Sequence, residues 1–334
     1  MALITPFDDF PIHQTAETLA VPSSSDRNHY DRYWFNGFSE EKDFLFEIGV
    51  GFYPNRHIMD AHFSISTAGK QYSYHASARM NPARYPINIG PISLEILEPM
   101  QKIRFSLKDP EKKLSCDLIF NAITEPHLEP KSLMIEGTRK ILETSRFTQF
   151  GKWDGSIETE SGNLDLTKEY GTRDKSWGVR PVGEPEIGAP GKLNAEPGVY
   201  WCWIPINFGD TFTHFGTFED HDGNSTQLSA DLVEISNNEV IKPLNNISHK
   251  VDWIKGTRWS SGAQISAQEG DKKIEINAKA CGPRFHCKGI GYQHPEWGHG
   301  FWKGEEAVGY EVWDLNEINP EDYSFFHIHQ IIKA

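Results

Sequence analysis

Residues 43–53, "DFLFEIGVGFY", alternate between apolar side chains and other residues over nearly their whole length. A period of two places successive side chains on opposite faces of an extended chain, and it is typical of a β-strand with one buried face. We therefore predict a half-buried strand. Its buried face carries Phe44, Phe46, Ile48, Val50 and Phe52, and its other face carries Glu47, Gly49 and Gly51.

The same alternation recurs along most of the chain, with proline- and glycine-containing segments between the repeats. Helical periodicity is scarce, and only "NPEDYSFF" near the end could form one or two turns. Many short strands with frequent turns predict an all-β protein. The architecture we expect is two antiparallel β-barrels or half-barrels packed together. The segments concerned include "ISLEILE", "KIRFSL", "LSCDLIF", "TFTHFGTFE", "QLSADLVEI", "KKIEINAKA" and "AVGYEVWDL".

Residues 181–198, "PVGEPEIGAPGKLNAEPG", contain four prolines and four glycines. This composition predicts a linker between two β-rich halves. We therefore expect an N-terminal domain over 1–180 and a C-terminal domain over 199–334. Residues 1–25 are predicted to form an extended arm along the first domain.

Composition excludes several classes of function. The formal net charge of −14 disfavours binding to nucleic acid, which depends on cations that neutralise phosphates, and it disfavours anionic membrane surfaces. We find no apolar run of about 20 residues and no basic n-region with an apolar stretch, so we expect neither a membrane span nor a secretory signal. Four scattered cysteines are typical of reduced thiols in the cytoplasm. The oligomeric state is left open.

Familiar cofactor and nucleophile motifs are missing from the sequence. It has no G-x-S-x-G, no P-loop and no G-x-G-x-x-G followed by a helix. His294 and His299 are five residues apart, which is not the spacing of a helical zinc pair, and the cysteines form no C-x-x-C. His327 and His329 share a face of a predicted strand and could form half a site. We predict neither a metal nor an organic cofactor, because paired histidines of this kind are more often ordinary polar residues.

The segment "EYGTRDKSWGVRP", residues 169–181, sets an acid among cations. Asp174 lies between Arg173 and Lys175, and Trp177 and Arg180 follow closely. Neighbouring cations lower the pKa of a carboxyl group, whereas burial against aromatic rings raises it. Two interpretations remain open. Asp174 either pairs with Arg173 or Arg180 to fix a turn, or it is a proton donor for catalysis.

Aromatic residues make up 12% of the chain and include ten tryptophans, which either fill a core or line a pocket for apolar ligands. Beside Asp174, we select His294 and Glu296 as a possible proton relay. Trp201, Trp203 and His214 also fit plain strand positions, and Trp297 could simply plug the end of a barrel. The predicted substrate-binding residues are Trp34, Tyr53, Trp177, Arg180, Trp201, Trp203, His214 and Trp297.

Five segments resemble a bacterial group of uncharacterised proteins related to the AttH/carotenoid 1,2-hydratase-like superfamily. They are "DRYWFNGF", "GFYPNRHIMDAHFSI", "RFTQFGKWDGSI", "YGTRDKSWGVRP" and "HPEWGHGFW", in that order. The resemblance implies two lipocalin-like β-barrel domains in one chain. The superfamily includes carotenoid hydratases, kievitone hydratase and relatives of the tocopherol-cyclase and Diels–Alderase types, which act on apolar molecules without an organic cofactor.

In the carotenoid hydratases an aspartate in a glycine-rich turn supplies a proton, and the resemblance places Asp174 at that position. Thr172 stands where those enzymes have a tyrosine. The resemblance implies a cofactor-independent hydratase, cyclase or isomerase, a lyase or isomerase in class, acting on a terpenoid- or steroid-like compound. The alternatives are a non-catalytic carrier of such a compound and a structural or partner-binding protein.

Overall fold

The computed structural model describes residues 4–111, 113–183, 200–235 and 241–334. These residues form β-strands joined by turns and by short 3-10 segments, and no α-helix occurs among them. The all-β prediction is confirmed. Within the same ranges, no helix is long and apolar enough to cross a membrane.

The described residues contain twenty-one strands. The first twelve are β1 His29–Ser39, β2 Phe44–Tyr53, β3 Ile58–Thr67, β4 Lys70–Arg79, β5 Ile87–Ile89, β6 Ile92–Glu98, β7 Lys102–Lys108, β8 Leu114–Ala122, β9 His127–Leu128, β10 Ser132–Glu136, β11 Arg139–Thr159 and β12 Gly162–Val179. The others are β13 Tyr200–Asn207, β14 Thr211–Glu219, β15 Ser225–Glu234, β16 Ile241–Pro243, β17 Asn245–Trp253, β18 Ser260–Glu269, β19 Lys272–His286, β20 Glu306–Asp314 and β21 Ile328–Lys333. The 3-10 segments are Pro6–Asp9, Pro54–Arg56, Cys287–Ile290 and Tyr323–Phe325.

Two compact units divide the chain. The first comprises Met1–Glu186 and Gly282–His329, and the second Ile187–Cys281 and Gln330–Ala334. The contacts therefore divide the chain differently from the predicted consecutive halves. Residues 282–329, expected in a C-terminal domain, belong to the first unit, in which β20 pairs with residues 70–78 of β4. Of the predicted linker 181–198, all but residues 181–183 lie outside the described residues.

The first unit is built on one 13-stranded sheet that contains β1–β12 and β20. Its main path runs β20-β4-β3-β2-β1-β12-β11-β8-β7-β6-β5, and β9 and β10 pair with β11. Strand β5 lies against β3 and β4, so the sheet curls into a nearly closed barrel.

Aromatic side chains fill the interior of this barrel. Trp153 of β11 is fully buried, and its ring centroid lies 5.4 Å from that of Phe46 and 5.2 Å from that of Phe120. Phe63 of β3 contacts Phe105 of β7 at 5.8 Å, across the barrel. The rings tilt or meet edge to face, as packed aromatic side chains do.

Both faces of β2 are buried, in contrast to the predicted half-buried strand. All ten of its residues are buried. Phe46 and its apolar neighbours line the barrel as predicted, but the opposite face is also covered. Glu47 is fully buried there, and a Cβ on Gly49 would lie 2.3 Å from a guanidinium nitrogen of Arg32. The outer face of the sheet is therefore a second, polar interior.

The second unit contains two four-stranded sheets, ordered β13-β14-β15-β16 and β17-β18-β19-β21. One apolar cluster joins them. It includes Ile206, Phe215 and Ala230 from the first sheet and Ile265, Ala267 and Ile276 from the second. The unit is therefore a small β-sandwich with its own core.

The described part of the N-terminal segment is folded rather than extended. Asp8 accepts hydrogen bonds from the backbone N–H of Thr5 at 2.7 Å and of Leu19 at 2.8 Å, and it contacts His13 at 3.0 Å. These bonds lower the pKa of Asp8 well below its ordinary value. One carboxylate thus gathers residues 5–19 into a loop, which corrects the predicted extended arm.

We predict that Trp153→Ala lowers the free energy of unfolding by about 3–5 kcal/mol, the range for deleting a buried aromatic side chain. The substitution also removes the 2.7 Å hydrogen bond from the indole N–H to the carbonyl of Asn36. Urea unfolding followed by far-ultraviolet circular dichroism measures the effect. The control is Trp302→Ala, since Trp302 is 44% exposed, and its cost should stay below about 1 kcal/mol.

Candidate active site

Asp174 lies in the middle of β12, not in the turn that the glycine-rich sequence predicted. Strand β12 pairs on one side with β1 and on the other with β11, without interruption around Asp174. Its direct neighbours across the sheet are Trp34 and Thr148. The position is rigid because backbone hydrogen bonds hold both edges of the strand.

The residues around Asp174 in sequence divide between the two faces of β12, because side chains alternate along a strand. Arg173 lies on the opposite face with its guanidinium over the rings of Phe35 and Phe147, at 5.9 and 5.1 Å. Lys175, on that face as well, forms an ion pair with Asp31. The predicted pairing of Asp174 with Arg173 is therefore wrong.

Asp174 itself is half-buried, and among the described residues it accepts no hydrogen bond and has no ion-pair partner within 4.0 Å. Burial raises the pKa of its carboxyl group to about 6. Arg146, Arg32 and Arg180 act in the opposite direction, while Glu129 adds to the rise. Asp174 can therefore both hold and release a proton near neutral pH.

Glu129 reduces the effect of the nearest arginine on Asp174. Both Nε and Nη2 of Arg146 donate to one oxygen of Glu129, at 3.1 and 2.6 Å. The hydroxyl of Thr148 donates to the other oxygen. Arg146 thus has a carboxylate partner of its own, which leaves the Asp174 carboxyl without one.

Arg32 and Arg180 meet at His299. Arg180 donates to Nδ1 of His299 at 3.3 Å, and Nε2 of His299 lies 2.8 Å from the carbonyl oxygen of Ile290. This oxygen also accepts a bond of 3.3 Å from Arg32. The carbonyl oxygen of Ile290 can only accept, so the proton of the neutral imidazole lies on Nε2, and the 3.1 Å contact of this nitrogen with Nη2 of Arg32 is not a hydrogen bond. Accordingly, burial and the two guanidinium groups lower the pKa of His299 far below its ordinary value.

A later segment covers the polar face of the sheet. The side chain of Gln71 on β4 binds the backbone of His286 through both its amide atoms, donating to the carbonyl and accepting from the N–H at 2.8 Å each. The 3-10 segment Cys287–Ile290 follows directly. At Gly289 a Cβ would lie 2.4 Å from the side chains of Gln71 and Ser64, so only glycine permits this close approach.

Beneath this cover a row of polar groups begins at Tyr53 and Asp60. The hydroxyl of Tyr53 donates to Asp60 at 3.2 Å, and the backbone N–H of Gly300 donates to the other carboxylate oxygen at 2.7 Å. Tyr53 and Asp60 are both buried. Nε2 of His62 lies 3.8 Å from Asp60.

Two histidines on neighbouring strands continue the row. Nδ1 of His62 lies 2.8 Å from Nδ1 of His75, and Nε2 of His75 lies 3.4 Å from Glu311 of β20. Burial lowers the pKa of both imidazoles, that of His75 to about 3. Burial raises the pKa of Glu311, but hydrogen bonds from His294 and His75 outweigh it and the pKa is lowered.

His294 ends the row in a fixed tautomer. Its Nδ1 accepts the backbone N–H groups of Glu296 and Trp297, both at 3.0 Å, and its Nε2 lies 2.8 Å from Glu311. A nitrogen that accepts two N–H groups carries no proton, so Nε2 must donate to the carboxylate. Trp297 stacks on His75 at 5.5 Å.

In the part of the chain that the structure describes, two groups of side chains present donor atoms that could hold a metal ion. In each group the three ligand atoms all lie within 4.8 Å of one another. One consists of Cys287, His327 and His329, and the other of His75, His294 and Glu311.

Six of the predicted site residues lie along the polar face of the first unit: Asp174, Trp34, Tyr53, Arg180, His294 and Trp297. Trp177 is 40% exposed and occupies the face of β12 opposite Asp174. The carboxylate of Glu296 is exposed and lies 3.8 Å from Lys303. Trp201, Trp203 and His214 belong to the second unit, where the rings of Trp201 and Trp203 stack at 6.1 Å.

Sequence reasoning did not select five residues that shape this face: Arg32, Glu129, Arg146, His62 and Glu311. Arg32 and His62 occur in segments already rich in polar and aromatic residues. Because side chains alternate along β1 and β3, both residues could have been assigned from the sequence to the sheet face opposite the apolar side chains. Glu129, Arg146 and Glu311 have no comparable local signal, because only the pairing of distant strands brings them to the site.

We predict that the carboxyl group of Asp174 titrates with a midpoint near pH 6. Glu129→Gln should lower this midpoint, because it removes a negative charge and leaves Arg146 without its carboxylate partner. Arg146→Gln should raise it. Carbon-13 NMR of aspartate-labelled protein measures the titration, with Asp174→Asn to assign the signal. A midpoint near 3.8 in the wild type, the ordinary value, would contradict the assignment.

We also predict that Asp174 lowers the free energy of unfolding of the protein at pH values above its pKa. Its pKa is higher in the folded chain than in the unfolded one, so the wild type loses stability as pH rises from about 4 to about 6. Asp174→Asn mimics the protonated form. The difference between the two pKa values sets an upper limit of about 3 kcal/mol, and because Asp174 is only half-buried we expect the variant to be more stable by about 1–2 kcal/mol at pH 8.

Denaturant unfolding at pH 8 and at pH 3.5 measures this difference. The gain should nearly vanish at pH 3.5, where the wild type is protonated in both states. A variant that is less stable than the wild type at pH 8 would mean that Asp174 is an ordinary structural carboxylate.

Comparison with known proteins supports the fold and places the chain in a family. Over 84% of this chain and 89% of the other, the structure is similar to an AttH-type protein from Nitrosomonas europaea, with a TM-score of 0.55 and 14% identity. It is also similar to kievitone hydratase from Nectria haematococca, over 78% and 80% of the two chains, with a TM-score of 0.50 and 11% identity.

At these identities the likeness establishes the fold alone, and that fold is the one that the sequence resemblance implied. A comparison with curated protein sequences finds no match. A family model matches residues 4–334. The chain belongs to the family described as "Family of unknown function (DUF8625)".

Proposed function

We propose that this protein is a cofactor-independent, acid-catalysed hydratase, cyclase or isomerase that acts on an apolar terpenoid- or steroid-like molecule, with Asp174 as the proton donor. The observation that carries the proposal is the state of Asp174. Its pKa is raised to about 6, and within the described residues no cation pairs with it. The hydratase among the structural neighbours is consistent with this class of reaction.

Protonation of a carbon–carbon double bond is the step that hydration, cyclisation and isomerisation share. The neutral carboxyl of Asp174 gives its proton to one carbon, and the other carbon becomes electron-deficient. In hydration, water bonds to that carbon and returns a proton to the Asp174 carboxylate, so the acid is regenerated. In isomerisation a neighbouring C–H gives up the proton instead. Neither route needs an oxidant or a second substrate beyond water.

The guanidinium groups near Asp174 restrict the substrates that fit. Arg32, Arg146 and Arg180 would disfavour an isolated carbocation at this place. They would stabilise a developing oxyanion. We therefore favour substrates in which the double bond is conjugated with a carbonyl group, such as an enone. In that case water bonds to the β-carbon and the arginines hold the enolate oxygen that forms. Asp174 gives its proton to the α-carbon, and the proton released by the added water returns to the Asp174 carboxylate.

His294 remains the proposed relay residue. It donates to Glu311, and Glu311, His75 and His62 continue from there towards Asp60. Such a row can pass or store a proton away from bulk water. The exposed carboxylate of Glu296 offers no support for the same role.

The alternative function is a carrier that binds an apolar molecule without changing it. The aromatic packing of the barrel interior in the first unit speaks against a carrier of the lipocalin type there, since Trp153, Phe46 and Phe120 occupy the space a ligand would need. An apolar small-molecule partner, the lack of a nucleic-acid partner and a cytoplasmic location stay predictions from composition.

A solvent-exchange experiment tests the proposal. The wild type and Asp174→Asn are incubated in D₂O with a mixed terpenoid and steroid extract that includes enones, and the products are analysed by mass spectrometry. We expect carbon-bound deuterium in one class of compound with the wild type and none with the variant. Because only protonated Asp174 acts, the rate should fall about tenfold per pH unit well above pH 6.

The matched control is Asp117→Asn, which removes an exposed carboxylate paired with Arg104 and should keep full activity. Deuterium incorporation that persists in Asp174→Asn would refute Asp174 as the acid. A compound that both proteins retain and neither labels would identify a carrier.

A further inference from the structure

Cys287, His327 and His329 converge on one point of the first unit. Cys287 is fully buried at the start of the 3-10 segment, and its backbone N–H donates to the carbonyl of His327 at 3.0 Å. The rings of His327 and His329 lie 5.1 Å apart with their planes at 88°. One ligand atom from each of the three residues lies within 4.8 Å of the others. Zinc with thiolate and imidazole ligands needs separations of roughly 3.5 Å, so a small contraction completes the site.

A buried carboxylate orients one of these ligands. Nδ1 of His329 lies 2.6 Å from one oxygen of Glu47, and the indole N–H of Trp34 donates to the other oxygen at 3.0 Å. In the neutral imidazole of His329, Nδ1 must carry the proton, and Nε2 keeps its lone pair for a metal. A carboxylate that accepts from the non-ligating nitrogen is the usual support of a metal-bound histidine.

The second group, His75, His294 and Glu311, does not fit a metal. Nδ1 of His294 accepts two backbone N–H groups, so a metal on its Nε2 would require a fully deprotonated ring. Metal-bound histidines instead donate from their second nitrogen. The cysteine-containing group is therefore the better candidate for a metal site.

We propose that Cys287, His327 and His329 bind one zinc ion through a thiolate and two imidazoles, with Glu47 as the positioning residue for His329. Three protein ligands leave a fourth position for water or a substrate atom. The ligand set of one sulfur and two nitrogens matches zinc, which is borderline-soft. The proposal does not depend on the chemistry assigned to Asp174.

Metal analysis of the full chain tests this site. The protein is stripped with a chelator, titrated with Zn²⁺ or Co²⁺, and dialysed. We expect about one metal ion per chain by mass spectrometry, and the Co²⁺ form should show a thiolate-to-cobalt charge-transfer band. This spectrum tests the wild type directly, so the result does not depend on whether a variant folds.

Variants then assign the ligands, each checked for folding by circular dichroism. Cys287→Ser should lose the charge-transfer band, whereas Cys116→Ser, which alters another buried free cysteine, should keep it. Glu47→Gln should weaken zinc binding about 10–100-fold while the band persists. His294→Gln and Asp174→Asn should bind metal as the wild type does.

Three results would overturn the proposal. They are a wild type that binds no zinc after stripping, a cobalt form without the thiolate band, and equal metal loss in His294→Gln. Asp174→Asn is expected to keep its metal and to lose deuterium incorporation. Failure of the zinc site therefore changes the metal content, whereas failure of the proposed acid catalysis changes the deuterium result.

Discussion

The structure of the first unit depends on the covering of a polar sheet face by a segment that follows more than two hundred residues later. Gln71 holds the backbone of His286, and the chain then lies close on the sheet at Gly289. The sheet thereby acquires two interiors, one apolar inside the barrel and one polar outside it. Excluding water from the second interior moves the ionisable groups away from their ordinary behaviour, because burial disfavours the charged form of each. This constraint explains the lowered pKa of His75 and of His299.

Charges on the polar face are arranged so that most have a defined partner. Arg146 has Glu129, His294 has Glu311, and Asp60 has the hydroxyl of Tyr53 and a backbone N–H. Asp174 has no such partner among the described residues. The partnered groups hold one another in place, and they cannot rearrange to neutralise Asp174 without breaking their own bonds. The fold therefore destabilises the ionised form of Asp174. Functional sites commonly carry such a local cost in stability.

The sequence predicted the strands well because alternation is a local property. It identified β2 and the all-β class, and parity applied to β12 would have placed Asp174 and Trp177 on opposite faces. The glycines at 171 and 178 misled the interpretation, since they suggested a turn where the structure has a continuous strand. The local sequence of a strand does not show which segment covers the second face of its sheet. The residues next to Asp174 in the sheet come from β1 and β11. Glu47 contacts His329, which lies more than 280 positions later in the sequence. Only tertiary pairing brings such residues together.

Trp34 connects the two proposed sites through one side chain. Its backbone lies opposite Asp174 on the neighbouring strand, while its indole N–H is fixed on Glu47. Trp34 thereby fixes the orientation of the Glu47 carboxylate, whose other oxygen lies 2.6 Å from Nδ1 of His329. The same hydrogen bond prevents Trp34 from donating to Asp174 and stabilising its anion. One tryptophan thus orients the carboxylate that supports the proposed metal site, and it leaves Asp174 without an indole donor. The two proposed sites are coupled through this side chain because its indole has only one proton to donate.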